Sequence, residues 1–182
     1  MVFAHQKYLS GAAEYLLFMW QMEDLVRAVN FDIDALDGFI TTLTQDASQQ
    51  QEERKWFQEL IRDMKSEKIE KRGHLTALEE ILAELTYLHQ TLLKVWKDAD
   101  YIQMYEAARP NLEEYIRRSK GVSQNEVELC LHALYGLLVL RLRREAISAD
   151  TESAMNTFSQ MLASLSGHFF KMKQGDQKAA LN

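Results

Sequence analysis

Hydrophobic residues recur at helical spacing along most of the chain. The clearest stripe lies between residues 74 and 97, where apolar positions alternate at three- and four-residue intervals. It consists of Leu75, Leu78, Leu82, Leu85, His89, Leu92 and Trp96, widened by Ile81, Leu88 and Val95. A stripe of this width is typical of a helix that packs against two neighbours. The pattern therefore predicts a buried face running the whole length of this segment.

The most apolar stretch is VELCLHALYGLLVLRL, from Val127 to Leu142, interrupted only by Glu128, His132 and Arg141. A helix that is apolar all round is either a membrane span or the centre of a helical bundle. A span needs about 18 or more nearly uncharged residues, and this stretch is shorter and contains charges. We therefore interpret it as a buried central helix and predict no membrane association.

The other patterns predict a domain made only of helices. They include a narrow stripe of Trp56, Phe57, Leu60, Ile61 and Met64 and a later stripe of Met155, Phe158, Leu162, Leu165, Phe169 and Met172. The core is expected to come from helices at 5–30, 74–97, 123–144 and 148–172. The predicted fold class is an all-α, mostly up-and-down bundle of six to seven helices around the central apolar helix at about 123–144. One domain is expected over residues 1–172, followed by a disordered tail at 173–182.

Helix ends are predicted from capping residues and from breakers. Asn30 and Gly73 are typical C-terminal caps, and Gly73 would end a helix that reaches about Arg72. Capping boxes are predicted at Ser48–Gln51 and Ser123–Glu126, and Ser148 is expected to cap the last helix. Pro110 should kink or split the helix that contains it.

Composition supports the helical interpretation. One Pro and seven Gly in 182 residues are too few for the frequent turns of a sheet protein. A net charge of −6 disfavours nucleic-acid and anionic-membrane partners. The single cysteine, Cys130, cannot form an internal disulfide. With no signal-peptide pattern at the start, we expect a cytoplasmic protein.

Common catalytic and metal-binding motifs are missing. The sequence has no Glu-x2-His, His-x3-His or Cys-x2-Cys spacing, no glycine-rich phosphate loop and no Gly-x-Ser-x-Gly. These absences predict no catalytic residue, no metal and no cofactor. They weigh against an enzyme without excluding one.

Two polar clusters are candidate ligand-binding residues. Glu128 and His132 are four residues apart on the central helix, and Gly136 continues their line without a side chain. A carboxylate beside an imidazole can form a base or a polar binding spot. The alternative is a hydrogen-bonded core histidine, with Gly136 allowing close helix packing.

The second cluster lies on the first helix, where Glu14, Asp24 and Arg27 stand out from an apolar surrounding. They could line a pocket together with His132. The alternative is a structural ion-pair network, in which Glu23 pairs with Arg27 four residues later. His89 and Cys130 are interpreted as core residues.

Four segments carry a resemblance to a known family: EYLLFMWQMEDLVRA, KRGHL, YLHQTLLK and LYGLLVLRLRREAIS. On these the chain resembles an uncharacterised bacterial family, a domain of unknown function. The resemblance spans nearly the whole length. It implies a stand-alone cytoplasmic bacterial protein and carries no activity, cofactor or site residue.

The leading hypothesis for function is a non-enzymatic interaction or scaffold protein that forms a homo-oligomer or binds a protein partner. The alternative is a small-ligand-binding protein or enzyme with a polar pocket between the first and central helices. Nucleic-acid binding is the least favoured, because the basic clusters all lie near helix C-termini, where cations are stabilised anyway.

Overall fold

Helices account for all regular secondary structure in the described residues. The computed structural model describes residues 4, 7, 8, 11–118 and 125–180, with side chains as far as residue 174. The α-helices are α1 (Ala12–Ala28), α2 (Asp37–Leu43), α3 (Ala47–Ser66), α4 (Thr76–Gln90), α5 (Ala99–Arg118), α6 (Glu126–Leu142) and α7 (Ala149–Ala180). A 3₁₀ turn at Asp34–Leu36 precedes α2, and a π-helical turn at Thr91–Trp96 continues α4. The prediction of an all-α fold is confirmed.

The chain forms two compact units. The first comprises residues 1–10 and 14–81, and the second comprises residues 11–13 and 82–182. Helix α4 begins in the first unit and ends in the second. The single-domain boundary at 1–172 stays a prediction. Helical backbone continues into the 173–182 segment as far as Ala180, and the expected disorder of that segment is likewise untested.

The first unit is built on the apolar face of α3. Phe57, Leu60, Ile61 and Met64 are buried there, as the narrow stripe predicted. Phe57 packs edge to face on Phe39 of α2, with ring centroids 6.1 Å apart. The rest of α3 is largely polar and exposed, so one apolar stripe is enough to place the helix.

The second unit contains a bundle in which α5, α6 and α7 pack pairwise. The predicted stripe of α7 is buried at Met155, Phe158, Leu162, Leu165 and Phe169. At the other end of the unit's sequence, the N–H of Ala13 donates to the buried Ser166 Oγ at 3.1 Å. The buried face of α7 therefore contains both apolar side chains and the hydrogen-bonded Ser166.

The predicted split at Pro110 is wrong. Helix α5 runs unbroken from Ala99 to Arg118 with Pro110 inside it. Pro110 is exposed, as is Glu106 four residues earlier. The carbonyl that the proline ring leaves without a helical partner can therefore be hydrated.

The continuous stripe predicted for residues 74–97 is wrong at its C-terminal end. Leu85, Leu88 and Leu92 are buried, but Val95 is 71% exposed and Trp96 is 58% exposed. The cause is the π-helical turn, whose i→i+5 bonds place the following residues out of register with the preceding α-helix. The 3.6-residue periodicity does not predict burial here because the backbone is no longer α-helical.

The buried residues of helix α6 lie between Val127 and Leu137, and none follows Leu137. Val127, Leu129, Cys130 and Leu131 are each at most 1% exposed, whereas Leu142 is 71% exposed. The prediction of a wholly buried central helix is therefore wrong at its C-terminal end. Helices α5 and α7 cover the first half and leave a groove beside the second.

Both predicted capping boxes are corrected by the observed caps. Asp46 caps α3 by accepting from Gln49 N–H at 2.9 Å, so Ser48 lies inside the helix. Asn125 caps α6 by accepting from the N–H groups of Val127 and Glu128. Ser123 lies outside the described residues, and Glu126 is freed for another contact.

Left-handed residues end several helices. Asn30 adopts φ 52° after α1, as predicted, and Ser148 caps α7 as predicted. Helix α3 ends at Ser66 rather than near Arg72, because Lys68 takes the left-handed position at φ 58°. Gly73 does have a positive φ of 91°, but in the loop that follows.

A left-handed residue also ends the π-helical turn, where Lys97 has φ 50°. Lys97→Gly should leave the free energy of unfolding unchanged or slightly higher, because glycine takes this conformation without steric cost. The matched control Lys94→Gly, inside the turn, should lower it by about 1 kcal/mol. Urea denaturation compares the two. An equal loss of unfolding free energy in both variants would contradict the conclusion that Lys97 is strained in its left-handed conformation.

Candidate binding groove and buried polar networks

A buried histidine joins three helices of the second unit. His89 of α4 is 1% exposed. Its Nδ1 lies 2.6 Å from Tyr101 Oη of α5, and its Nε2 lies 3.0 Å from Glu126 Oε2 of α6. Tyr105 Oη donates to Glu126 Oε1 at 3.0 Å. A neutral imidazole satisfies this network, since the Tyr101 hydroxyl can donate to Nδ1 while Nε2–H donates to Glu126.

The network shifts the acidity of its members. The hydrogen bond from His89 holds the pKa of Glu126 below its usual value. Burial raises the pKa of Tyr101, and burial together with the hydrogen bond to Glu126 raises that of Tyr105 to about 12. The phenols therefore stay protonated and the carboxylate stays charged at neutral pH.

Two further contacts tie the same helices together. Asn125, the cap of α6, donates its Nδ2–H to Thr86 Oγ1 of α4 at 2.9 Å. At the start of α5, Asp98 accepts from Tyr101 N–H at 2.9 Å and lies 3.4 Å from His168 Nε2 of α7. The backbone hydrogen bond from Tyr101 lowers the pKa of Asp98. Polar contacts thus link α4, α5, α6 and α7.

Although a carboxylate, an imidazole and a hydroxyl in line resemble a nucleophile with its base, the hydroxyl and the imidazole are buried here, while the Glu126 side chain is 27% exposed. Tyr101 is fully buried and His89 nearly so. Cys130 is also fully buried, and burial raises the pKa of its thiol. The geometry supports a structural role, as the core interpretation of His89 and Cys130 predicted.

A second buried network lies in the first unit. Glu23 of α1 is 0% exposed. Its Oε2 lies 2.5 Å from His74 Nδ1, and its Oε1 accepts from Leu75 N–H at 2.9 Å. The His74 ring stacks on Trp20 with centroids 4.5 Å apart. One carboxylate therefore holds the segment that leads into α4.

Arg27 lies one turn further along α1 and binds backbone carbonyl groups of the same segment. Its guanidinium donates to Ile69 O at 3.0 Å and to Gly73 O at 2.5 Å. It also donates to Asp24 Oδ1 at 3.0 Å. The predicted Glu23–Arg27 pair is therefore wrong, because each side chain has tertiary partners that sequence spacing does not reveal.

The predicted ligand-binding residues have the following places. Glu14 is exposed on α1, and Asp24 pairs with the half-buried Arg27. Glu128 and His132 of α6 lie 3.6 Å apart, as their spacing indicated. These two pairs belong to different units. A shared pocket between the first and central helices stays a prediction.

An open groove lies in the second unit between α5, α6 and the start of α7. Its volume is about 750 Å³, within the range of small-molecule sites. Its apolar floor consists of Ala133, Gly136, Leu137, Leu140, Ala154 and Met155, with the Tyr115 ring beside them. Its polar rim consists of Asn111, Glu114, Arg118, Ser148, Asp150 and Thr151.

Among these groove residues, sequence reasoning connected only Gly136 with a candidate site, and it predicted Ser148 only as a helix cap. The glycine was the available signal, since it interrupts an otherwise bulky apolar helix. A Cβ built on Gly136 would meet no atom within 4 Å, so the residue opens space rather than permitting close helix contact. The rim residues gave no signal because their spacing along the chain is that of ordinary exposed helix positions.

No group of three or more His, Cys, Asp or Glu side chains among the described residues is arranged to hold a metal ion. Among the same residues, no helix is both long and apolar enough to cross a membrane.

The fold and its contacts define an all-helical protein with a surface groove and enclosed polar networks. The sequence profile of the family described as a domain of unknown function (DUF4924) matches residues 1–176. The chain belongs to that family, as the resemblance predicted. No curated protein and no solved structure matches it.

Removing the charge of Glu126 tests the His89 network. Glu126→Gln should lower the free energy of unfolding at pH 7 by about 1–3 kcal/mol, because a charged partner of a buried imidazole is lost. The pKa of Glu126 is lower in the folded protein than its ordinary value of 4.5, so the ionised carboxylate stabilises the fold at pH values above 4.5. This stabilisation is lost as the pH falls through the native pKa. The difference between wild type and variant should therefore shrink toward pH 3.

Urea denaturation from pH 7 to pH 3 measures this difference. Glu113→Gln is the matched control, since Glu113 is exposed on α5. A loss that is independent of pH, or equal in the control, would contradict the assigned role.

Arg27→Met tests the first-unit network. Amide hydrogens in the loop after α3 should exchange at least several-fold faster, because the guanidinium no longer holds the carbonyls of Ile69 and Gly73. Hydrogen exchange with mass spectrometry measures this. The control Arg62→Met removes an arginine that is exposed on α3. Unchanged protection in Arg27→Met would contradict the role.

Proposed function

We propose that the chain is a non-enzymatic interaction protein that self-associates through the segment around the π-helical turn. The observation that carries the proposal is the exposure of Tyr87, Val95 and Trp96, at 74%, 71% and 58%. Large apolar side chains that stay exposed are candidates for an interface. Tryptophan and tyrosine are also the residues that most often dominate binding energy.

The backbone of this segment supports the same proposal. A π-helical turn is rare in proteins and is frequently found at functional sites. Here it takes Val95 and Trp96 off the buried stripe while leaving Leu92 inside. A regular α-helix would have continued that stripe. The turn is therefore the feature that supplies the exposed apolar surface.

The buried networks support a non-enzymatic role. In the second unit, the hydrogen bonds of His89 to Tyr101 and Glu126 join helices α4, α5 and α6, which supports a structural use of these groups. A second copy is the partner we propose, because most oligomers are built from identical chains. Lys94 and Lys97 are exposed beside the apolar side chains and can form the polar rim of such an interface.

The double variant Val95→Ser, Trp96→Ser tests the proposal by sedimentation equilibrium over a range of concentrations. Wild-type protein should form a dimer or larger oligomer, and the variant should weaken it at least tenfold, because a central aromatic contact is lost. Glu113→Ser, at an exposed position on α5, is the control and should retain the oligomer. Circular dichroism checks that all three proteins stay helical. A wild-type protein that is strictly monomeric would overturn the proposal.

A further inference from the structure

We propose that the groove between α5, α6 and α7 is a second, separate binding site that takes a small amphipathic amine. It shares none of its lining residues with the segment around the π-helical turn. The ligand's apolar body would lie on the floor, and its ammonium group would face the rim.

The floor explains the apolar part of the ligand. Leu137 and Leu140 of α6 and Met155 of α7 line it, and the Tyr115 ring forms one wall. Gly136 leaves the space above the helix backbone open, with no atom within 4 Å of an added Cβ. A volume of about 750 Å³ is large enough for a short alkyl chain or a ring system.

The rim explains the charge of the head group. It carries two carboxylates, on Glu114 and Asp150, against one guanidinium, on Arg118. Arg118 already forms an ion pair with Glu114 on the same helix. Asp150, exposed in the first turn of α7, therefore remains as an acceptor for a cation. The hydroxyl groups of Ser148 and Thr151 are hydrogen-bonded to each other at 2.9 Å on the same rim.

Tyr115 strengthens the preference for a cation. The face of a phenol ring attracts an ammonium group, most strongly when water is partly excluded. An anionic head group would instead face the negative excess of the rim, with Arg118 shared with Glu114. Charge complementarity thus favours an amine over a carboxylate of the same length.

Octylammonium and octanoate are the matched probes, each titrated into isotope-labelled full-length protein and followed by amide NMR and calorimetry. Octylammonium should bind more tightly and should shift resonances of α5, α6 and the start of α7. Equal or tighter binding of octanoate would overturn the assignment of the head group. No binding of either probe would overturn the site.

Gly136→Leu places a side chain into the groove without backbone strain, since the residue is helical and faces open space. It should abolish binding of octylammonium and keep or raise the melting temperature. Gly167→Leu is the matched control: it is an equally unobstructed helical glycine, exposed on α7 outside the groove. Equal binding in the two variants would overturn the location.

Asp150→Asn keeps the shape of the rim and removes its charge. Affinity for octylammonium should fall about two- to fivefold, the range of an exposed ion pair, while Glu113→Gln should leave it unchanged. An unchanged affinity in Asp150→Asn would overturn the role of the carboxylate. If Gly136→Leu instead changes the sedimentation mass, a second copy occupies the groove and the amine proposal fails.

Discussion

A buried imidazole needs a hydrogen-bond partner at each ring nitrogen, and this requirement governs how the helices of the second unit meet. His89 takes one partner from α5 and one from α6. A helix displaced by a few ångströms would leave a buried nitrogen without a partner, which costs more than a lost apolar contact. The same helices also share the contacts of Asn125 with Thr86 and of Asp98 with His168. Packing brings the helices together, and these polar contacts select one arrangement.

That fixed arrangement gives two different surfaces to one unit. Immediately after the anchored His89, the π-helical turn exposes Val95 and Trp96. Along α6, the last buried residue is Leu137, and the groove lies beside residues 133–140 of the helix. The apolar side chains of α6 therefore form part of the core near its N-terminus and line the groove near its C-terminus. The proposed interaction surface and the proposed ligand site therefore lie at separate positions in the second unit.

The first unit applies the same principle with ionic groups. Glu23 binds the imidazole of His74 and the backbone N–H of Leu75 in the segment KRGHL. Arg27 binds the backbone carbonyl of Gly73 in that segment and that of Ile69 just before it. Two of the segments that carried the family resemblance, EYLLFMWQMEDLVRA and KRGHL, are thus in contact with each other. Their residues are linked by structure, and no reaction is needed to explain their pairing.

The sequence by itself determined the helical class, the apolar stripes of α3 and α7, the left-handed Asn30 and the core placement of His89 and Cys130. These follow from local periodicity and residue chemistry, which act within a few turns of one helix. Tertiary structure alone decided the partners of Glu23, Arg27 and Glu126, the exposure of Val95 and Trp96, and the groove beside Gly136. Each depends on a neighbour far away in sequence or on a change of backbone geometry, and a 3.6-residue pattern encodes neither.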